Sequence, residues 1–341
     1  MTGSAGACGS WMAAALCLLG AACAGPEGLA GGSGALGPGV RTAPDDSDLL
    51  GVVPAGAETL IELDMVALRA SPWARAAFDA MASGQQAEQT RERGFDELVD
   101  VDRAVFAGLP QPGGPMSTLV IAQGRFDAGR VVDAFRSRAP AAVEDRWRDV
   151  SVWHEGERSV ALLTSRTFLA GPLPVVRAAI DCAFGVAPDV RSDRELAEVR
   201  RLAGHAHGGA VRAALVVSDE MRARIGNELG APTALRRVGA RIALDDALVL
   251  QVVGMLDTDG EARGFAAGLA GLIRGAHGRP VLAFLGLASL LDSAQVAADG
   301  AHVRAELRIP GAQRADLAGR FAALAQMLAA ARAQPTKGPP P

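Results

Sequence analysis

Five histidines and four cysteines are the side chains of this chain best suited to nucleophilic, acid–base or metal chemistry. His205-Ala-His207 sets two imidazoles at i and i+2. On a strand such a pair projects to one face, and it holds a divalent metal when a carboxylate or third histidine joins it. Gly204, Gly208 and Gly209 frame the pair, and no HExxH pattern accompanies it, so it reads as an ordinary polar loop. Cys182 is a candidate nucleophile, with His154, His205 or His277 as its base. It lies between Ile180 and Phe184 in an apolar helical run, where a free thiol packs as a small hydrophobe. Asp257-Thr-Asp259-Gly260-Glu261 echoes a calcium loop but lacks the third Asx before the glycine and the glutamate six positions beyond it. Asp259 reads instead as a helix cap. Gly32-Ser-Gly34-Ala-Leu-Gly37 spells GxGxxG with no strand before it and Pro38 directly behind, which removes the phosphate-cradling context. There is no GxSxG elbow, SxxK or CxxC. The carboxylate pairs Asp45-Asp46 and Asp245-Asp246 fall in tether and turn, where Asp serves the backbone geometry. The sequence therefore assigns no catalytic, cofactor-binding or metal-ligating residue.

The elements that would position such groups follow from periodicity. Hydrophobic residues make up 49% of the 341 and charged residues 21%, a globular balance with enough length for two domains. Aromatic residues are only 4% and Tyr is absent, so Ala, Leu and Val must fill the core. Net charge is −4, and every basic residue but Lys337 is Arg, interspersed with acids, which argues against a nucleic-acid face. Alternation predicts strands over 58–64, 102–109, 117–124, 151–154, 159–164, 167–170, 211–218, 238–244, 247–256, 294–299 and 302–309. Helical spacing predicts helices over 66–82, 126–138, 173–184, 219–229, from Asp257 to about Arg274, 281–291 and 314–331. The run Val281–Leu291 is apolar all round, too short to span a bilayer, and reads as a buried helix or a partner-facing one. Each half thus reads roughly β-α-β-β-α-β. The expected fold class is α+β, two related halves of antiparallel sheet with packed helices in a ferredoxin-like (split βαβ) pattern. The halves cover 49–190 and 205–333, joined through a charged stretch 191–201 and the loop His205–Gly209, with a disordered tail over 334–341.

The N-terminus reads as an address. The 13-residue run Trp11–Cys23 is rich in Ala and Leu, short of the roughly 20 residues that span a bilayer and matched to a signal segment over roughly residues 1–24. The first positive side chain is Arg41. Two processing routes are open. Ala22-Cys23-Ala24 is a small-x-small site with cleavage before Gly25. Leu18-Leu-Gly-Ala-Ala-Cys23 resembles a lipobox, with Gly20 where Leu is usual, and makes Cys23 a lipidated first residue. Residues 25–48, rich in Gly, Ala, Pro, Ser and Asp, have tether composition.

Leu49-Leu-Gly-Val-Val-Pro-Ala-Gly-Ala57, Leu60-Ile-Glu-Leu-Asp64, Leu68-Arg-Ala-Ser-Pro-Trp73 and Gly124-Arg-Phe-Asp-Ala128 resemble the opening of uncharacterised exported proteins of GC-rich bacteria. The resemblance implies export and an α+β pattern, and it carries no activity or site residue. The expectation is a non-enzymatic exported protein of the periplasm or outer-membrane-anchored envelope that binds a partner protein or a hydrophobic ligand. It needs no cofactor or nucleic acid and meets the membrane only through lipid on Cys23. A hydrolase of unrecognised geometry is the alternative, and it requires a polar cleft where a histidine or Cys182 meets carboxylates.

Overall fold

The computed structural model describes residues 48–75, 94–111, 114–229, 234–276, 288–291 and 293–316. The signal segment with Cys23, the tether motif 32–37, His277, 281–287 and the tail lie outside them. Among the described residues the strands are β1 (Thr59–Asp64), β2 (Val101–Gln111), β3 (Gly114–Gly124), β4 (Val143–Trp147), β5 (Val150–Glu155), β6 (Arg158–Leu162), β7 (Thr167–Gly171), β8 (Val211–Val216), β9 (Arg237–Leu244), β10 (Ala247–Met255), β11 (Gln295–Asp299) and β12 (His302–Pro310). The helices are α1 (Met65–Ala70), α2 (Glu97–Asp100), α3 (Ala128–Arg138), α4 (Leu173–Ala183), α5 (Arg194–Leu202), α6 (Asp219–Leu229), α7 (Asp259–Ala276) and α8 (Ala288–Leu291).

The strands form one sheet in the order β11-β12-β10-β9-β8-β1-β2-β3-β7-β6-β5-β4. Every pairing between these strands is antiparallel. The fold class is α+β, and the two halves are related. Outward from the central β1–β8 pair, β1-β2-β3-β7-β6 on one side matches β8-β9-β10-β12-β11 on the other. The caps repeat as well. Asp64 accepts from Ala67 N–H at the start of α1, and Asp127 accepts from Arg130 N–H at the start of α3. In the second half Ser218 accepts from Met221 N–H before α6, and Thr258 accepts from Glu261 N–H before α7. These four strands hand over to their helices through a side-chain oxygen that satisfies an N–H left free in the first turn, whereas α4 starts at Pro172 with no side-chain cap. The element order of a split βαβ unit is present. Its parallel crossover is not among the described pairings, because the helix after β1 returns the chain antiparallel to the adjacent position, as β2.

Period-2 alternation sets the layers. Leu60, Val105, Leu119, Ile121 and Ala214 face one side, where α4, α5 and the turn Leu49–Val52 pack. Leu63, Ala104, Ala122, Val211 and Ile242 face the other, with α1, α3 and a cluster of Phe95, Phe126 and Phe168 whose ring centroids lie 5.0–5.9 Å apart. In the second half α7 covers that same side through Ala262 and Ala266. None of the described helices is long and apolar enough to cross a membrane.

Several details depart from the sequence reading, and one is the strand β4, which it did not expect. The helix expected over 66–82 is broken after Ala70, because Pro72 disfavours helical backbone at Ser71, which is extended at φ −76° and ψ 125°; residues 76–82 lie outside the described residues. Thr258, not Asp259, caps α7: its hydroxyl accepts from the Glu261 N–H and donates to the Glu261 carboxylate. The charged stretch 191–201 contains a helix: Asp193 caps α5, which buries Leu196 and Val199.

Candidate functional site

β1 and β8 are where the halves meet, and their register sets Glu62 directly opposite Arg212. Glu62 shares the strand parity of Leu60, so its carboxylate points into the layer beneath α4 and α5. α5 brings Arg200 to it, and the turn after α5 brings His205. Arg200 Nη2 donates to Glu62 Oε1 at 2.7 Å, and Arg212 Nη2 lies 3.1 Å from Oε2. His205 Nδ1 lies 3.8 Å from Oε1. Side-chain exposure is 6% for Glu62, 5% for His205 and 18% for each arginine. Each carboxylate oxygen therefore has an arginine, and the imidazole closes the cluster from the turn side.

His205 Nε2 sits 2.9 Å from the Ala240 carbonyl. A carbonyl only accepts, so the ring proton resides on Nε2 and Nδ1 keeps a lone pair. Burial holds His205 down to about 4, and Arg200 and Arg212 push the same way against the Ala240 carbonyl and Glu62. The polar row continues across the second half. Arg212 faces Arg241 on β9, Arg241 faces Gln251 on β10, and Gln251 faces Glu306 on β12. Arg241 Nε donates to Gln251 Oε1 at 3.1 Å, and Gln251 Nε2 donates to Glu306 Oε2 at 2.9 Å. The packing that places Arg200 is close: a Cβ on Gly239 of β9 would lie 2.7 Å from the Val199 carbonyl of α5.

Among the described residues, the sequence candidates are not assembled into one site. His205, expected in a polar loop, is buried because the turn folds back onto β9, while His207 stays exposed. His154 lies on β5, paired across to Val143 and Ser159 at the other end of the sheet. The Cys182 thiol is buried on α4, donates to the Pro188 carbonyl at 3.3 Å, and is pushed up to about 12 by burial, with Asp189 and Asp181 adding to it. No group of three metal-ligating side chains exists among the described residues. Sequence reading missed Glu62, Arg200 and Arg212. The available signal was a carboxylate at the inward parity of the strand Thr59–Asp64, which demands a buried counter-charge.

Glu62 is no free base, since both oxygens are engaged, and His205 turns its lone pair toward that ion pair. The arrangement joins the two half-sheets through largely desolvated charge. Fold and site define a single-sheet α+β protein with a buried ionic junction. No family model matches the chain, and no curated protein matches it. Among solved structures, crystal forms I, III and IV of TP0453, a Treponema protein, align with TM-scores of 0.43, 0.47 and 0.46. They are 10%, 10% and 11% identical, over 82%, 81% and 82% of this chain and 98%, 99% and 96% of the neighbour. Likeness at that level passes no residue role to this chain.

Proposed function

We propose that the chain is a non-enzymatic exported envelope protein, periplasmic or anchored to the outer membrane, that binds a partner protein or a hydrophobic ligand. One observation favours this reading over the hydrolase alternative. The groups on which hydrolysis would depend are committed to structure: the Cys182 thiol to Pro188, the His205 ring to Ala240, and Glu62 to two arginines. Export rests on the apolar run Trp11–Cys23, and Cys23 is the proposed lipid-bearing residue.

Two measurements test this. Titration of the mature chain with cis-parinaric acid is expected to give saturable one-to-one binding. Absence of binding, together with hydrolysis of a p-nitrophenyl ester that His205→Gln abolishes, overturns the reading in favour of a hydrolase. Intact mass from a bacterial host addresses export. A diacylglycerol-modified Cys23 as first residue, lost in Cys23→Ala, supports the anchor. A mass beginning at Gly25 replaces the anchor with a soluble exported form, and an uncut chain from Met1 overturns export.

A further inference from the structure

The turn that carries His205 is bounded by glycines on both sides. Gly204 has φ +74°, Gly208 φ +74° and Gly209 φ +138°, backbone states that side chains resist and that glycine enters and leaves readily. Between them the imidazole is inserted against the β1–β8 seam. We propose that this turn is an acid-released latch: a proton taken from solvent onto His205 Nδ1 drives the ring out of the junction by rotation at the flanking glycines.

The charges that face the ring argue for release rather than a tighter grip. From β1 comes Glu62, whose Oε1 already accepts from Arg200 at 2.7 Å and whose Oε2 has Arg212 at 3.1 Å. From α5 comes Arg200, and from β8 Arg212, both cationic. From β9 comes the Ala240 carbonyl, which holds Nε2–H, together with Arg241, whose Nη1 reaches the His207 and Gly208 carbonyls at 3.5 Å. Behind Arg241 stand Gln251 of β10 and Glu306 of β12. His207, on the same turn, is exposed. A protonated Nδ1 becomes a donor whose nearest acceptor, Glu62 Oε1, lies 3.8 Å away and already accepts from Arg200, while Oε2 is taken by Arg212. The imidazolium is then a third buried cation beside them, which low local dielectric penalises. Outside the junction, water solvates the ring, and among the described residues the direct bond it surrenders is the one to Ala240. The turn's grip on the sheet also includes Ala210 N–H to the Ile242 carbonyl at 2.8 Å and the long Arg241 contacts, the last being the weakest.

Amide hydrogen exchange on the whole mature chain at pH 7.5 and pH 4, corrected for intrinsic rates, tests the latch. The amides of His207, Gly208 and Ala210 are hydrogen-bonded in the closed turn. They are expected to lose protection by about tenfold or more relative to β2 and β3. His205→Gln keeps a side-chain N–H donor for the Ala240 carbonyl but cannot take the proton, and its turn is expected to show no relative loss. Equal loss in both proteins, or none in the wild type, overturns the proposal. If the variant does not fold, the wild-type ring titration followed by NMR decides. The fall in protection must share its midpoint with His205 protonation, and a different midpoint overturns the latch.

Discussion

Glu62 and Asp102 each gather arginines, and they do so at different depths. Glu62 sits in the seam between the halves, 6% exposed, with Arg200 and Arg212 each 18% exposed. Asp102, at the start of β2, draws Arg69 at 3.1 Å, Arg166 at 3.2 Å and Arg125 at 3.6 Å, but Arg166 and Arg125 are 55% and 67% exposed. Asp102 thus has more partners while water screens most of them. The Glu62 group has fewer partners and little water. What counts for stability is therefore depth and not the number of pairs, because removing one member of a desolvated pair strands the others. Arg69 is the exception in the surface group, tied also to the Leu98 and Val101 carbonyls at 3.1 and 2.6 Å.

The largest effect is expected from Glu62→Gln, which leaves two largely buried guanidiniums, 18% exposed each, without their counter-charge. A loss of about 3–5 kcal/mol in urea unfolding is predicted. A loss no greater than that of Asp102→Asn breaks the comparison. Acid comes next. The unfolded chain binds the His205 proton near 6.5 and the folded protein only near 4, so stability is complete above pH 6.5 and falls as pH drops toward 4. The fall reaches up to about 3 kcal/mol from this group. Unfolding midpoints at pH 7 and pH 4, with His205→Gln beside the wild type, isolate it. A wild-type curve parallel to the variant's contradicts the assignment.

Gly239→Ala asks how tightly α5 must ride on β9 to deliver Arg200. The added Cβ meets the Val199 carbonyl at 2.7 Å and Ala203 Cβ at 2.9 Å, and a cost of about 1–3 kcal/mol is expected in thermal unfolding. A neutral result shows that α5 can lift without cost. The smallest effect belongs to Asp102→Asn, at most about 1 kcal/mol and shrinking with added salt. A larger, salt-independent loss would place Asp102 in the same class as Glu62.

The strand alternation made most of the sheet legible. Leu60, Ile61 and Leu63 in β1, and the run from Leu119 to Ala122 in β3, carry their layers in the order of the residues. The two related halves were legible in the repeated order of strand and helix. Three things were hidden. α5 reads as charged linker because only Leu196 and Val199 of its nine residues are buried. Pro72 stops α1 against a helical pattern that continues beyond it. The junction itself pairs residues 138 positions apart, Glu62 with Arg200, and no local pattern encodes a partner at that separation. His205 was visible as a histidine between glycines, but its burial depends on β9, which supplies the Ala240 carbonyl from 35 residues away.

A double-mutant cycle between Glu62 and Arg200 tests the buried junction most directly. Glu62→Gln, Arg200→Gln and the double variant are unfolded in urea at pH 7, with an Asp102/Arg166 cycle alongside. The desolvated pair is predicted to show a coupling of about 2 kcal/mol or more, and the exposed pair less than about 1 kcal/mol. A Glu62–Arg200 coupling near zero, or one no larger than that of Asp102–Arg166, contradicts the account that buried charge fastens the two halves.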